Sequence, residues 1–153
     1  MATDNDNQHE SVGAWAKRLY FANRAMIESV LRPYDLGSTQ YYVLYQLAND
    51  GPTMQRVLAQ TLHLEKATLS AVVASLVSKG LVDQVPDAAD QRQRRLELTK
   101  VGAALWGELP DPIAVIREIS AGASSEADLA TAVRVLEAAT QRLDDHMAAP
   151  GKS

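Results

Sequence analysis

The chain contains no cysteine. That excludes disulfides, thiolate metal sites, a cysteine nucleophile and thiol-based redox sensing, and it agrees with a reducing cytoplasm, which is the expected location. No apolar run approaches the roughly 18 residues of a membrane span, so no membrane partner is expected. The chain also lacks a glycine-rich phosphate loop, a Ser/His/Asp order and a paired-carboxylate constellation, so it is not expected to be an enzyme. Its three histidines, His9, His63 and His146, share no ligand spacing with carboxylates, and neither a metal nor a cofactor is expected. Positive charge is scarce as well. The formal net charge is −4, which argues against general polyanion binding. The first ten residues, MATDNDNQHE, are polar and acidic. They read as neither a signal nor a transit peptide, and 1–10 and 148–153 are expected to be tails, the first of them disordered.

The 153 residues suit one domain, or one domain with an appended arm. About 68–70% of the unfolded surface disappears at this size, so a real core can form. The scarce cations are unevenly placed. Residues 53–102 hold seven cations against five anions, a surplus of two in an otherwise acidic chain. Three of the seven, Arg92, Arg94 and Arg95, sit between Asp90 and Leu96.

Hydrophobic periodicity divides the chain into helices and one hairpin. Residues 11–31 read as a helix with Ser11 as its cap and Trp15, Leu19, Ala22, Met26 and Val30 on one stripe. A second helix runs from Ser38 to Leu47, before the breaker Asn49-Asp50-Gly51-Pro52. Thr53 opens a short helix with Val57, Leu58 and Leu62, and His63-Leu64 makes a turn. Glu65 then opens a helix that ends at Lys79-Gly80, with Gly80 suited to a left-handed cap. Alternation over 81–85 and again over 96–98, with Pro86-Asp87-Ala88-Ala89-Asp90 between, predicts a β-hairpin with cations near its tip. Two short helices joined by a tight turn and followed by a hairpin make a winged helix-turn-helix. Thr99 caps the next helix, Pro110 and Pro112 interrupt it, and a last helix covers about 126–147. Leu129, Val133, Leu136, Leu143 and Met147 form a narrow heptad stripe on it, which calls for a partner helix.

In the Glu65–Lys79 helix, Leu69, Val72, Val73 and Leu76 share the inward face. The opposite face carries Ala67, Ser70, Ala71, Ala74 and Ser78, flanked by Thr68 and Ser75. Small side chains let a helix approach base edges closely, and hydroxyls bond donors or acceptors there. The same face would equally pack against another helix. The arginine cluster favours DNA: a cationic hairpin tip suits the negative potential of a narrow minor groove, although charge runs commonly only solvate a hairpin. Asp90 is expected to orient the Arg92 guanidinium by a bidentate pair, with Arg94 on phosphate and Arg95 on the other side of the hairpin. Gln55, Arg56 and Lys66 complete the candidate DNA-contacting set.

Asp90-Gln91-Arg92, then Leu96 and Leu98-Thr99, resembles the wing signature of the MarR family (multiple antibiotic resistance regulators). Gln40-Tyr41 with Val43-Leu44, Gly51-Pro52 with Leu58-Ala59, and Lys79-Gly80-Leu81-Val82 resemble further family segments in the same order, over roughly residues 12–147. The resemblance implies a mainly α fold with a small β-wing, in one domain over 11–147. It has a winged helix-turn-helix lobe at about 38–102 and a dimerisation lobe from helices at about 11–32 and 103–147. It implies a homodimeric transcription factor on double-stranded DNA with a pseudo-palindromic site, usually a repressor, relieved by a small aromatic or phenolic acid. Trp15, Arg18, Tyr41 and Tyr45 are the candidate ligand residues, with Arg24 as a second carboxylate partner; ordinary core packing is the competing reading for each tyrosine. Four positions depart from the family pattern. Ala71 and Ser75 stand where a long polar side chain is usual, so base reading falls to Thr68, Ser70, Lys66 and the wing. Met54 stands where Thr or Ser is frequent, which leaves the cap to Thr53. Gln91 stands where relatives are often cationic. The alternative function is a helical protein-interaction adaptor that binds neither DNA nor ligand.

Overall fold

A computed structural model describes residues 11–149. The expected tail at 1–10, and residues 150–153 of the one expected at 148–153, lie outside the described residues, while Ala148 belongs to the last helix.

Helix α1 (Val12–Leu31) begins at Ser11, whose hydroxyl accepts from the Ala14 amide at 3.2 Å. A 3₁₀ turn (Arg32–Tyr34) holding Pro33 follows. It ends at Asp35 in the left-handed region (φ 55°), where the Asp35 and Leu36 amides close onto the Arg32 and Leu31 carbonyls. Helix α2 (Ser38–Asp50) buries Tyr41, Val43, Leu44 and Leu47 and stops at Gly51. The Gln40 side chain returns to accept from the Gly37 amide at 3.0 Å, satisfying one of the orphan donors of the first turn.

Thr53–Met54 form strand β1, not the start of a helix as the sequence suggests. Their partner lies some forty residues on, in β3, and a two-residue strand leaves no periodicity to read. Thr53 Oγ1 donates to the Gly51 carbonyl instead of capping a helix. Helix α3 (Gln55–Thr61) follows, with Met54 at its cap position and no side-chain cap bond. Helix α4 is Lys66–Ser78. Strands β2 (Val82–Pro86) and β3 (Arg94–Leu98) make the hairpin, in the register Val82↔Leu98 to Pro86↔Arg94. The sheet is antiparallel in the order β1-β3-β2, so β3 is central and its Leu96 is fully buried.

Helix α5 (Lys100–Glu108) starts at Thr99, whose hydroxyl accepts from the Gly102 amide at 2.9 Å and donates to the Gly80 carbonyl at 2.6 Å. One threonine thus ties the end of α4 to the start of α5. The core of this part gathers Ile27 and Leu31 of α1, four α2 residues, Leu58 of α3, Leu69, Val73 and Leu76 of α4, and Val82 and Leu96 of the hairpin.

The chain divides into two compact units between Pro112 and Ile113. The second contains most of α6 (Pro112–Ala121) and all of α7 (Glu126–Ala148). Ser125 caps α7, accepting from the Asp128 amide at 3.1 Å. On α7 the heptad residues Leu129, Val133, Leu136, Leu143 and Met147 are all exposed, Met147 to 75%. No helix among the described residues is long and apolar enough to cross a membrane.

Candidate nucleic-acid interface

The helix-turn-helix is built on two copies of one helix-ending motif. At the end of α3 the His63 amide bonds the Gln60 carbonyl and the Leu64 amide bonds the Ala59 carbonyl. At the end of α4 the Gly80 amide bonds the Val77 carbonyl and the Leu81 amide bonds the Leu76 carbonyl. Each motif needs a left-handed residue: His63 (φ 51°) in the first, Gly80 (φ 72°) in the second. The first turns the chain into α4, and the second turns it into the hairpin.

Helix α4 buries Leu69, Val73 and Leu76 and half-buries Val72, as its periodicity predicts. Ala67, Thr68, Ser70, Ala71, Ala74 and Ser78 are exposed, with Lys66 at the first helical position. Ser75 departs from the sequence expectation. It is half-buried, and its hydroxyl accepts from Gln40 Nε2 at 2.8 Å, so it faces α2 and not the open face. Gln40 Oε1 also accepts from Lys79 Nζ at 3.4 Å. Lys79 lies 3.3 Å from the Asp35 carboxylate and donates to the Asp35 carbonyl. Gln40 therefore pins the C-terminal half of α4 to the start of α2. Periodicity places Ser75 only on the flank of the open face, and whether a flanking hydroxyl meets Gln40 depends on tertiary packing.

The hairpin tip is shaped by carboxylates acting on backbone amides. Asp87 Oδ2 accepts from the amides of Ala89 and Asp90, both at 3.1 Å. Asp90 Oδ1 accepts from the Arg92 amide at 3.0 Å. The expected Asp90–Arg92 guanidinium pair does not form. A short carboxylate two residues before an amide closes a local turn more readily than it reaches a long side chain. Among the described residues the Arg92 guanidinium has no ion-pair partner.

Arg92 and Arg94 line a cleft of about 890 Å³ with Arg56 of α3, Lys66 and Ser70 of α4, and Gln55 and Gln84. Leu64 and Leu69 give it an apolar floor, His63 stands on its wall, and no carboxylate lines it. Four cations gathered around a concave face without a counter-charge focus a positive potential, which suits a polyanion. Arg95 is not part of the cleft. It projects from the other face of β3, with Nη2 3.9 Å from Glu97, and its Nε is buried without a hydrogen-bond partner. Gln60, Gln84 and Gln93 also line the cleft, and none of them is among the sequence-predicted contacts. The burial along β2 is not a clean alternation, so the sequence does not show which way Gln84 faces.

The expected ligand residues fall into two groups. Tyr41 and Tyr45 pack with Trp106 of α5, at ring-centroid distances of 5.5 and 5.9 Å from it. Burial, with the nearby Asp111 charge second, pushes the Tyr41 phenol up to about 12. Trp15 and Arg18 form a separate cation–π pair at 4.7 Å. Arg24 is engaged near Glu28 at 3.8 Å and over the Tyr20 ring. Trp106, more than sixty residues from the tyrosines in sequence, could not be grouped with them by periodicity. Among the described residues no cluster of His, Asp or Glu could hold a metal ion.

With this geometry in place, the likeness to known proteins is specific. Residues 34–93 match a family model described as MarR family. The chain is 31% identical over 113 residues to the HTH-type transcriptional repressor NicR of Pseudomonas putida, covering 74% of this chain and 72% of that protein. Its fold matches a mutant MarR from E. coli complexed with operator DNA, with TM-score 0.79, 21% identity, and 90% of this chain and 99% of that one covered. It also matches BpsR of Bordetella bronchiseptica, whose DNA binding is regulated by 6-hydroxynicotinic acid, with TM-score 0.74, 24% identity, and 84% and 98% covered. The exposed small-faced α4 and the cleft residues Arg56, Lys66 and Arg92 sit in the matched segment, with Arg94 and the second wing strand just beyond it, and the chain belongs to the MarR family of transcriptional regulators.

Proposed function

We propose that this protein is a cytoplasmic homodimer that binds a pseudo-palindromic operator and represses transcription until a small aromatic acid displaces it. The observation that carries the DNA reading is the cleft lined by Arg56, Lys66, Arg92 and Arg94 with no carboxylate. Two copies of α4 enter successive major grooves about 34–36 Å apart, and the wings reach the flanking minor grooves. Arg56, Lys66 and Arg94 hold phosphates and set the register; Thr68, Ser70 and the small Ala71 face the bases; Arg92 enters the minor groove. Arg95 is left to the wing's own packing. The exposed heptad stripe of α7, together with α1, supplies the dimer contact; an apolar row of this kind is stable only when covered.

The repressor NicR and the acid-regulated BpsR support the repressing and ligand-responsive parts of the reading. We assign the acid's ring to the Tyr41, Tyr45 and Trp106 group, where Tyr45 is 44% exposed and offers a free face. The Trp15–Arg18 pair is the second candidate. A ligand there would favour a separation of the two reading helices that no longer matches the grooves.

Selection of bound sequences from random DNA tests the reading. An enriched inverted repeat is the expected result. Recovery of no common sequence, with affinity indifferent to salt, would favour the protein-interaction adaptor.

A further inference from the structure

His63 lies on the wall of the cleft, in the turn between α3 and α4. Its backbone is left-handed (φ 51°), the conformation that Gly80 supplies in the second helix-ending motif. That turn asks for no side chain, and a Cβ there is a cost that glycine would avoid. The side chain it carries is exposed and lines the same concave space as Arg56 of α3, Lys66 of α4, and Arg92 and Arg94 of the wing. The carboxylate nearest to it in sequence, Glu65, occupies the cap position of α4 and does not line the cleft.

Imidazole is the side chain whose charge ordinarily changes between about pH 5 and 8, where guanidinium and ammonium groups keep theirs. Either form suits a phosphate. Neutral imidazole offers one N–H, and imidazolium offers two with a positive charge added. In the free protein that added charge meets four others of the same sign and no carboxylate. A phosphate in the cleft replaces this repulsion by attraction and gives the N–H groups charged acceptors.

We propose that His63 is a proton-linked phosphate contact, drawing a proton into each subunit's cleft as DNA binds. The complex then holds more protons than the free protein, and linkage fixes the sign: affinity rises as pH falls. The inference rests on the DNA-binding reading above. It adds that release of the operator depends on pH through one residue of the helix-turn-helix turn.

The test uses the full-length protein and a sequence it selects, titrated at about pH 6 and about pH 8 to span the imidazole range. Wild type is expected to bind at least about tenfold more tightly at the lower pH, the worth of one charge-assisted hydrogen bond. The slope of log affinity against log salt steepens there by about two contacts, one for each subunit. His63→Asn is the matched variant, because asparagine tolerates the left-handed backbone and keeps an N–H without the charge. It should bind as wild type does at the higher pH and gain nothing at the lower. His63→Lys, charged at both pH values, should bind throughout as tightly as wild type does at the lower. Thermal unfolding identifies a variant that fails to fold, and either variant alone suffices. Tight binding that is equal at both pH values, or a pH dependence that survives in a folded variant with His146 unchanged, would overturn the inference alone. Failure to select any sequence at either pH would overturn the DNA reading and the inference with it.

Discussion

Gly102 shows how tightly one position can bind two elements. An added Cβ there would press on the Leu81 carbonyl, with the carbonyl carbon at 2.9 Å, because α5 lies directly on the chain entering β2. Backbone cannot give way as a flexible side chain would. Gly102→Ala is expected to destabilise the protein by about 1–3 kcal/mol, the usual cost of overpacking, and denaturant unfolding measures it. Tyr41 makes a different prediction. Burial keeps its phenol protonated in the folded protein up to about 12, whereas the unfolded chain releases that proton near 10.0. The unfolded state then binds fewer protons, so stability falls as pH rises between those values and is unaffected below them. Tyr41→Phe should show a shallower loss over the same window, read from unfolding midpoints; an identical slope would remove the phenol from the account. Neither the close approach at Gly102 nor the burial of the Tyr41 phenol can be read from the sequence. Gly102 looks like any helical glycine, and Tyr41 is one of five tyrosines.

The helix-turn-helix and wing were largely legible because each rests on a local signal. Leu69, Val73 and Leu76 keep helical spacing, Gly80 supplies the left-handed cap, and residues 81–85 and 96–98 frame the hairpin. What failed depended on distant partners. Strand β1 exists only because Thr53 and Met54 find Leu96 and Arg95. Ser75 is withdrawn from the outer face by Gln40, and Trp106 joins Tyr41 and Tyr45 only once α5 packs on α2. Asp90 differs from these: its partner is local, but the carboxylate meets the Arg92 amide and not the guanidinium, a choice between two groups of one residue that the sequence leaves open. The Asp87 and Asp90 carboxylates hold the tip through backbone amides, which leaves the Arg92 side chain free to reach outward. Arg92→Ala is expected to weaken operator binding at least tenfold with thermal stability unchanged, measured by gel-shift titration at fixed salt. Equal affinity would take the wing out of the mechanism.

The acidic frame and the mildly basic centre were visible in composition, but composition did not show that Arg56, Lys66, Arg92 and Arg94 converge while Arg95 turns away. Convergence required the fold to bring α3, α4 and the hairpin tip to one face. The proposed dimer likewise follows from a stripe whose residues are exposed in the single chain. Leu143→Glu, which sets a charge in that stripe, should convert the protein to monomer in sedimentation analysis without unfolding the cleft-bearing unit. A monomeric wild type would remove the paired reading helices.

The most direct measurement is the dependence of operator affinity on salt. The three phosphate-holding cations of each cleft, Arg56, Lys66 and Arg94, give six in the dimer. If each neutralises a phosphate, log affinity falls with log salt at a slope of about −5, and Arg94→Ala makes it shallower by about two contacts. A flat dependence, or a slope unmoved by losing Arg94, would contradict the account.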